Sequence, residues 1–329
     1  MPSAEPQVVS EEQLAMVVKD RDWQRFPAWG KVPAEERRDP DLVLTTGKYG
    51  LTPSQMRERS ETLPELKVND LLGHDFFWFR PDGEPWWRKE RGGIICQSAY
   101  QLHSVTGCPF RCDYCGMGKV IRVLVNTDEY VQQLNGWLET AGEQRLFKWD
   151  NRSDVSCLEP EYGLSEKLVH YFAEKPERYL QLYIGKSDNC EHLLDLDHRG
   201  KTILQWSIGP RTQCEHMEER TASMEERIEA GRRCREAGYI VRFRFSPLVP
   251  VVNWREECTE LIEKLCTRAQ PDIISLCAFG WMSWGETRER MKLELFDPQF
   301  VAAMDKVGDG AGALLLVRTE NGSRFVVLK

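Results

Sequence analysis

The sequence predicts an α/β protein of six strand-and-helix units with a hairpin behind them. Three observations carry this expectation. Apolar or alternating runs recur between residues 98 and 280, amphipathic stretches with helix start and stop signals separate them, and turn residues bound each run. The 329 residues suffice for about two domains, or for one large α/β domain with an appendage. Repeated β-helix-β crossovers are right-handed and set their strands parallel, which leaves an open doubly wound sheet or a curved, partial barrel. In either, sites form at the C-terminal ends of the strands.

Residues 1–95 are irregular, with Trp23, Trp29, Trp78, Trp86 and Trp87 among charges and prolines. Disordered segments are poor in aromatics, so these residues read as an N-terminal extension packed on a core of residues 96–299. The expected strands are 98–106, 145–150, 179–186, 202–208, 240–247 and 272–279. Ser223 to Glu226 forms a capping box, in which a serine oxygen and a glutamate satisfy orphan backbone donors. Met224, Ile228 and Cys234 then share a face, and Gly238 ends the helix. A second helix spans 253–268, with Cys258, Leu261, Ile262 and Leu265 as its apolar stripe. Residues 300–329 form a hairpin appendage, with Asn321-Gly322 favouring its turn.

Composition narrows the function. With 41% hydrophobic and 29% charged residues the chain has an ordinary globular make-up. No apolar run reaches the length of a membrane span. The N-terminus lacks a basic segment followed by an apolar one, so the expected compartment is the reducing cytoplasm. A net charge of −8 argues against a tight, sequence-independent grip on nucleic acid. Eleven cysteines in a reducing compartment point to metal rather than disulfides.

Their spacing is informative. Cys108, Cys112 and Cys115 follow the first expected strand with x3 and x2 spacers. Three thiolates cannot close a tetrahedral zinc site, and no fourth ligand follows at finger spacing. A 4Fe-4S cluster held by three cysteines instead keeps one iron open to a small chelating molecule. The C-x3-C-x2-C loop, with Tyr114 before its last cysteine, resembles the signature of the radical S-adenosylmethionine superfamily. The resemblance implies a partial (βα)6 radical SAM barrel, one cluster, and S-adenosylmethionine bound by its amino and carboxylate groups. It implies cleavage of that sulfonium to a 5′-deoxyadenosyl radical, with an electron donor such as flavodoxin or ferredoxin.

Residues 95–268 further resemble the spore photoproduct lyase family through Ser153-Asp154, Gly185-Lys186-Ser187, Trp206-Ser207-Ile208 and the stretch from Thr221 to Pro247. Carried over, Ser153, Asp154, Lys186 and Ser207 surround S-adenosylmethionine. A zwitterionic ligand needs a cation for its carboxylate and an acceptor for its amine, and Lys186 and Asp154 supply one of each. The family's repair enzymes have a hydrogen-donating cysteine where this chain has Asn151, and a tyrosine where it has Gly116. An amide cannot give up hydrogen as a thiol does. The resemblance therefore implies a family member with altered chemistry. The rival is a repair lyase reversing a thymine-dimer lesion with another hydrogen donor, Cys157 or Tyr114. A second rival is a non-enzymatic structural zinc protein.

Alternation along Val241 to Ser246 puts Arg242 and Arg244 on one face. Turned inward, Arg244 suits an anionic small molecule or peptide substrate; turned outward, the arginines snorkel between helices while the phenylalanines pack inside. The aromatic run from Phe279 to Glu286 suits a lid or a stacking surface, or packing of the N-terminal extension. The six histidines form no ligand cluster by spacing, and the other cysteines read as dispersed, buried apolar residues.

Overall fold

The computed structural model describes residues 7–23, 39–74, 76–80, 99–115, 117, 120–279, 282–307, 313–319 and 322–328. The N-terminal part is woven into the rest rather than set beside it. Strand β1 (Asp41–Thr45) and strand β2 (Phe77–Arg80) both pair with later segments. Strand β2 runs antiparallel to β3 (Ala99–Leu102) and forms one edge of a seven-stranded sheet. After β3 come the short β4 (Val105–Thr106) and β5 (Arg111–Cys112), then β6 (Val120–Leu124), which pairs parallel with β1 and antiparallel with β4. The sheet continues through β7 (Leu146–Trp149), β8 (Tyr179–Gly185) and β9 (Thr202–Ile208). The two-residue β10 (Glu218–Glu219) pairs with β5, and β11 (Ile240–Leu248) and β12 (Ile273–Ala278) complete the large sheet.

Its order is β12-β11-β9-β8-β7-β3-β2, with every pair from β3 to β12 parallel. Strand neighbours thus follow chain order without reversal, whereas a doubly wound sheet reverses at a switch point. One face carries the core. Trp149, Leu182, Trp206, Val241 and Phe243 pack in a single cluster with Leu134, Leu168, Phe172 and Ile228 of the crossover helices. Burying each such ring or aliphatic group contributes about 2 kcal/mol. Gly231 lets the helix Met224–Glu236 approach, since a Cβ there would stand 2.6 Å from the Phe243 ring. Phe243 therefore faces the helix, and alternation turns Arg242 and Arg244 to the opposite face.

The expected strands are recovered with one break. The first splits at His103 and Ser104, because the amides of Ser104 and Val105 turn to the buried Asp150 carboxylate instead of a neighbouring strand. The Ser223 capping box forms as expected, and Ser283 caps Trp284–Arg290 in the same way. The helix Trp254–Lys264 continues as a π-helical turn, Leu265–Ala269. Ile262, expected in its apolar stripe, is exposed, the stripe being narrowed to Cys258, Leu261 and Leu265.

In the aromatic run after β12, Trp284 stacks edge-on against Phe300 of the C-terminal helix Pro298–Val307, and Phe279 lies near Phe296, just before that helix. Trp281 and Gly116 lie outside the described residues, as does Asn321. Strands β13 (Ala313–Thr319) and β14 (Gly322–Leu328) form the C-terminal hairpin, with Thr319 opposite Gly322. Among the described residues no helix is long and apolar enough to cross a membrane.

Candidate active site

The cysteine segment leaves the sheet at the C-terminal end of β3. It is anchored from both sides. Gly107 takes a positive φ where any Cβ would strike the Val120 carbonyl oxygen, and its amide donates to the Arg152 carbonyl oxygen. Farther on, Cys112 pairs with Glu218 in the β5-β10 ladder, and the Asp113 amide donates to Met217. Buried Arg111 ties the ladder to Asp39 and Glu219.

Beneath the loop is a buried polar network that the sequence did not single out. Tyr114 donates its phenol hydrogen to Glu218, and Gln213 Nε2 donates to Glu218 Oε1 at 2.9 Å and to the Pro247 carbonyl oxygen at 3.0 Å. Arg227 closes it, with one guanidinium nitrogen 2.7 Å from Glu218 Oε2 and both side chains fully buried. Arg227 also donates to the carbonyl oxygens of Ala222 and Ser207 and to the Thr221 hydroxyl. Burial alone would raise the Glu218 carboxyl, but Arg227 and then Lys186 outweigh it and hold it below the usual range. One signal for Arg227 was available: it lies in the apolar stripe of its helix, three residues after Met224 and beside Ile228, where a cation needs a buried partner.

The resemblance-derived residues converge on the same place. Asp154 is buried, and its Oδ2 accepts the amides of Lys186 at 2.5 Å and Ser187 at 2.8 Å. That cradle depends on Gly185, which has φ +72° and whose Cβ would stand 2.6 Å from Asp154 Oδ2. The Lys186 ammonium lies 5.5 Å from the centre of the Tyr114 ring. Burial pulls it down, yet Cys112, Glu218 and Cys115 beside it hold it above the ordinary lysine range. Ser153 Oγ and Asp154 Oδ1 are buried without a hydrogen-bond partner among the described residues. Ser207 is buried on β9, on the face away from the helices.

Burial pushes the Cys108 thiol well up, with Cys115, Asp154, Cys157 and Cys112 adding repulsion in that order. Burial raises Cys112 and Cys115 as well, opposed in both by Lys186. Three crowded thiols of this kind become thiolates only when a cationic centre offsets their charge, as a bound metal does. Among the described residues, no three His, Cys, Asp or Glu side chains close on one point as ligands to a single ion. A 4Fe-4S cluster asks for a wider arrangement, since each cysteine takes its own iron. The donor set fits such a cluster, and the two orphaned oxygens fit a polar ligand beside it.

Cys157 follows Asp154 in a short 3-10 turn, half-buried, its thiol donating to the Asp154 carbonyl oxygen. With Phe110, Ser187, Asn189, Arg220 and Thr221 it lines a cavity of about 420 Å³, in the size range of small-molecule sites. His103 is a buried polar residue as well. Its Nδ1 lies 2.6 Å from Asp150 Oδ1, and its Nε2 accepts from the Trp78 indole at 2.8 Å. This pairing joins β2 to the two segments that carry the cysteines and Ser153-Asp154. Of the other cysteines, Cys190, Cys214, Cys234 and Cys258 are buried, Cys277 is half-buried, and Cys266 is exposed at the helix end.

A family model described as Spore photoproduct lyase matches residues 96–290, more than half of the chain. The spore photoproduct lyase of Clostridium acetobutylicum is 28% identical over 186 residues, covering 54% of this chain and 55% of that protein. The Bacillus subtilis spore photoproduct lyase is 28% identical over 181 residues, 53% of each. The chain thus matches about half the length of these curated relatives. A solved spore photoproduct lyase mutant with bound AdoMet and dinucleoside spore photoproduct covers 95% of this chain and 86% of its own, with TM-score 0.57 and 18% identity, which bears on the fold. By the family-model match over more than half of its length, the chain belongs to the spore photoproduct lyase family of radical S-adenosylmethionine enzymes.

Proposed function

We propose that the chain is a radical S-adenosylmethionine enzyme with a partial (βα)6 barrel over residues 96–299, an N-terminal extension (1–95) and a hairpin appendage (300–329). The unreversed strand order supports the barrel. Cys108, Cys112 and Cys115 hold a single 4Fe-4S cluster. When bound, the cluster and S-adenosylmethionine supply a carbon-centred radical able to take hydrogen from an unactivated carbon. The chain's own residues bind and orient. Asp154 Oδ1 accepts from the ligand's amine, Lys186 faces its carboxylate, and the Ser153 and Ser207 hydroxyls complete its polar surround. The observation that carries this reading is the meeting of three electrostatically crowded thiols with Asp154 and Lys186 at the ends of neighbouring parallel strands.

The substrate in this reading is an anionic small molecule or peptide residue met by Arg244, in a cytoplasmic setting with a flavodoxin- or ferredoxin-type electron donor. Tyr114, its phenol committed to Glu218, works by holding the loop. The test is to incubate reduced, reconstituted protein with S-adenosylmethionine and deuterated candidate pools. Deuterium recovered in 5′-deoxyadenosine identifies the substrate position; cleavage without any label from any pool counts against substrate radical chemistry.

One observation favours a second reading, repair of a thymine-dimer lesion. Cys157 places a thiol beside the cysteine loop and in the cavity wall, where it could return hydrogen. Conversion of dinucleotide spore photoproduct to thymines, lost in Cys157→Ala, supports that reading; no conversion by a cluster-loaded protein that cleaves S-adenosylmethionine removes it.

A further inference from the structure

Tyr183 belongs to no motif discussed so far. Leu182 and Ile184 lie in the core, so Tyr183 turns to the face away from the helices. On β9, Trp206 and Ile208 are core residues and Ser207 turns the same way; on β11, Phe243 and Phe245 are core residues and Arg244 and Ser246 turn with it. Register sets Arg244 beside Ser207, and Tyr183 beside Gln205, one residue pair back along β9. The Tyr183 phenol, the Arg244 guanidinium and the Ser207 and Ser246 hydroxyls therefore meet, with Lys186 three residues beyond Tyr183.

Every one of these groups can donate a hydrogen bond, and two are cationic. Burial would raise the phenol, but Arg244, then Ser207 and Ser246, then Lys186 outweigh it and hold Tyr183 below the ordinary tyrosine range. The spot thus favours negative charge, and a planar guanidinium with hydroxyl donors matches a carboxylate or a phosphate.

We propose that Tyr183, Arg244 and Ser246 form an oxyanion pocket that grips a carboxylate or phosphate of the substrate. The proposal rests on the reading above only for naming the occupant a substrate; anion binding itself needs no cluster. It is tested by calorimetric titration of the full, cluster-free chain with inorganic phosphate and, separately, acetate. Saturable binding is expected, weakened at least about tenfold by Arg244→Gln and several-fold by Tyr183→Phe, and unchanged in Arg199→Gln, an exposed arginine. Preference for phosphate assigns a phosphoryl group, preference for acetate a carboxylate. Bound anion should also raise the pH at which the tyrosinate absorbance removed by Tyr183→Phe appears. No saturable binding, or equal loss in Arg199→Gln, overturns the pocket. If Arg244→Gln does not fold, Tyr183→Phe decides, and undiminished binding there overturns it too. A zinc-only metal content would sink the enzyme reading and leave this result standing.

Discussion

Gly185 is where the candidate site depends on the absence of a side chain. Alanine there must take a left-handed backbone and push against Asp154 Oδ2, so Gly185→Ala should cost about 1–3 kcal/mol and weaken S-adenosylmethionine binding more than it lowers Tm. Calorimetry beside thermal unfolding checks this, and unchanged binding would show that the Asp154 cradle does not matter. Asp154 gives a pH test in the cluster-free chain. Burial raises its carboxyl to about 7 against the Lys186 and Ser187 amides. A proton held more tightly in the folded chain stabilises it at low pH, so the contribution is full below about pH 4 and is lost as pH rises through about 7. The Tm of the wild type relative to Asp154→Asn should therefore fall across that window; a rise would contradict the burial account. At this scale the cysteines, Asp154 and Lys186 were legible because each sits in a local motif. Glu218, Gln213 and Tyr183 were not, because what gives them meaning is a neighbour on another element.

At the scale of elements, the ladder that the cysteine segment forms with β10 is just two residue pairs long, so the network below it bears much of the order. Glu218→Gln leaves Arg227 buried without a counter-charge and should cost about 3–5 kcal/mol, part of it regained by adding Arg227→Met. Tyr114→Phe, which removes the hydrogen bond donated to Glu218 and the one accepted from Gln213, should cost about 1–2 kcal/mol and leave cluster content intact. Urea unfolding of the wild type and the three variants measures this; a Glu218→Gln cost no larger than that of Tyr114→Phe would deny the ion pair its role. The parallel strands were readable to within a few residues, since apolar runs and turn residues are local signals. The break between β3 and β4 was not, because Asp150, which draws off two amides, lies just past the end of β7, more than forty residues on. Nor was the pairing of β1, whose partner β6 lies far along the chain, or of β2, which joins β3 across an irregular stretch of sequence. The face of Arg244 was undecidable from alternation alone, and Phe243 packed against Gly231 settles it.

For the whole molecule, chain-order strands put the ends of β3, β7, β8 and β9 side by side, which brings residues as distant as Cys108, Asp154, Lys186 and Ser207 to one rim. The class of fold could be read in advance because six units of one kind repeat; the weaving of the N-terminal strands into the sheet could not. All the chemistry argued above depends on three thiols sharing one cluster with an iron to spare. The most direct measurement is iron and sulfide analysis of the anaerobically reconstituted chain, with electron paramagnetic resonance of the reduced protein before and after adding S-adenosylmethionine. The account predicts a 4Fe-4S stoichiometry, a spectrum altered by the ligand, loss of the cluster in Cys108→Ala, Cys112→Ala or Cys115→Ala, and its retention in Cys157→Ala. Zinc without iron, or a cluster whose spectrum ignores S-adenosylmethionine and which needs Cys157 as a fourth ligand, would contradict it.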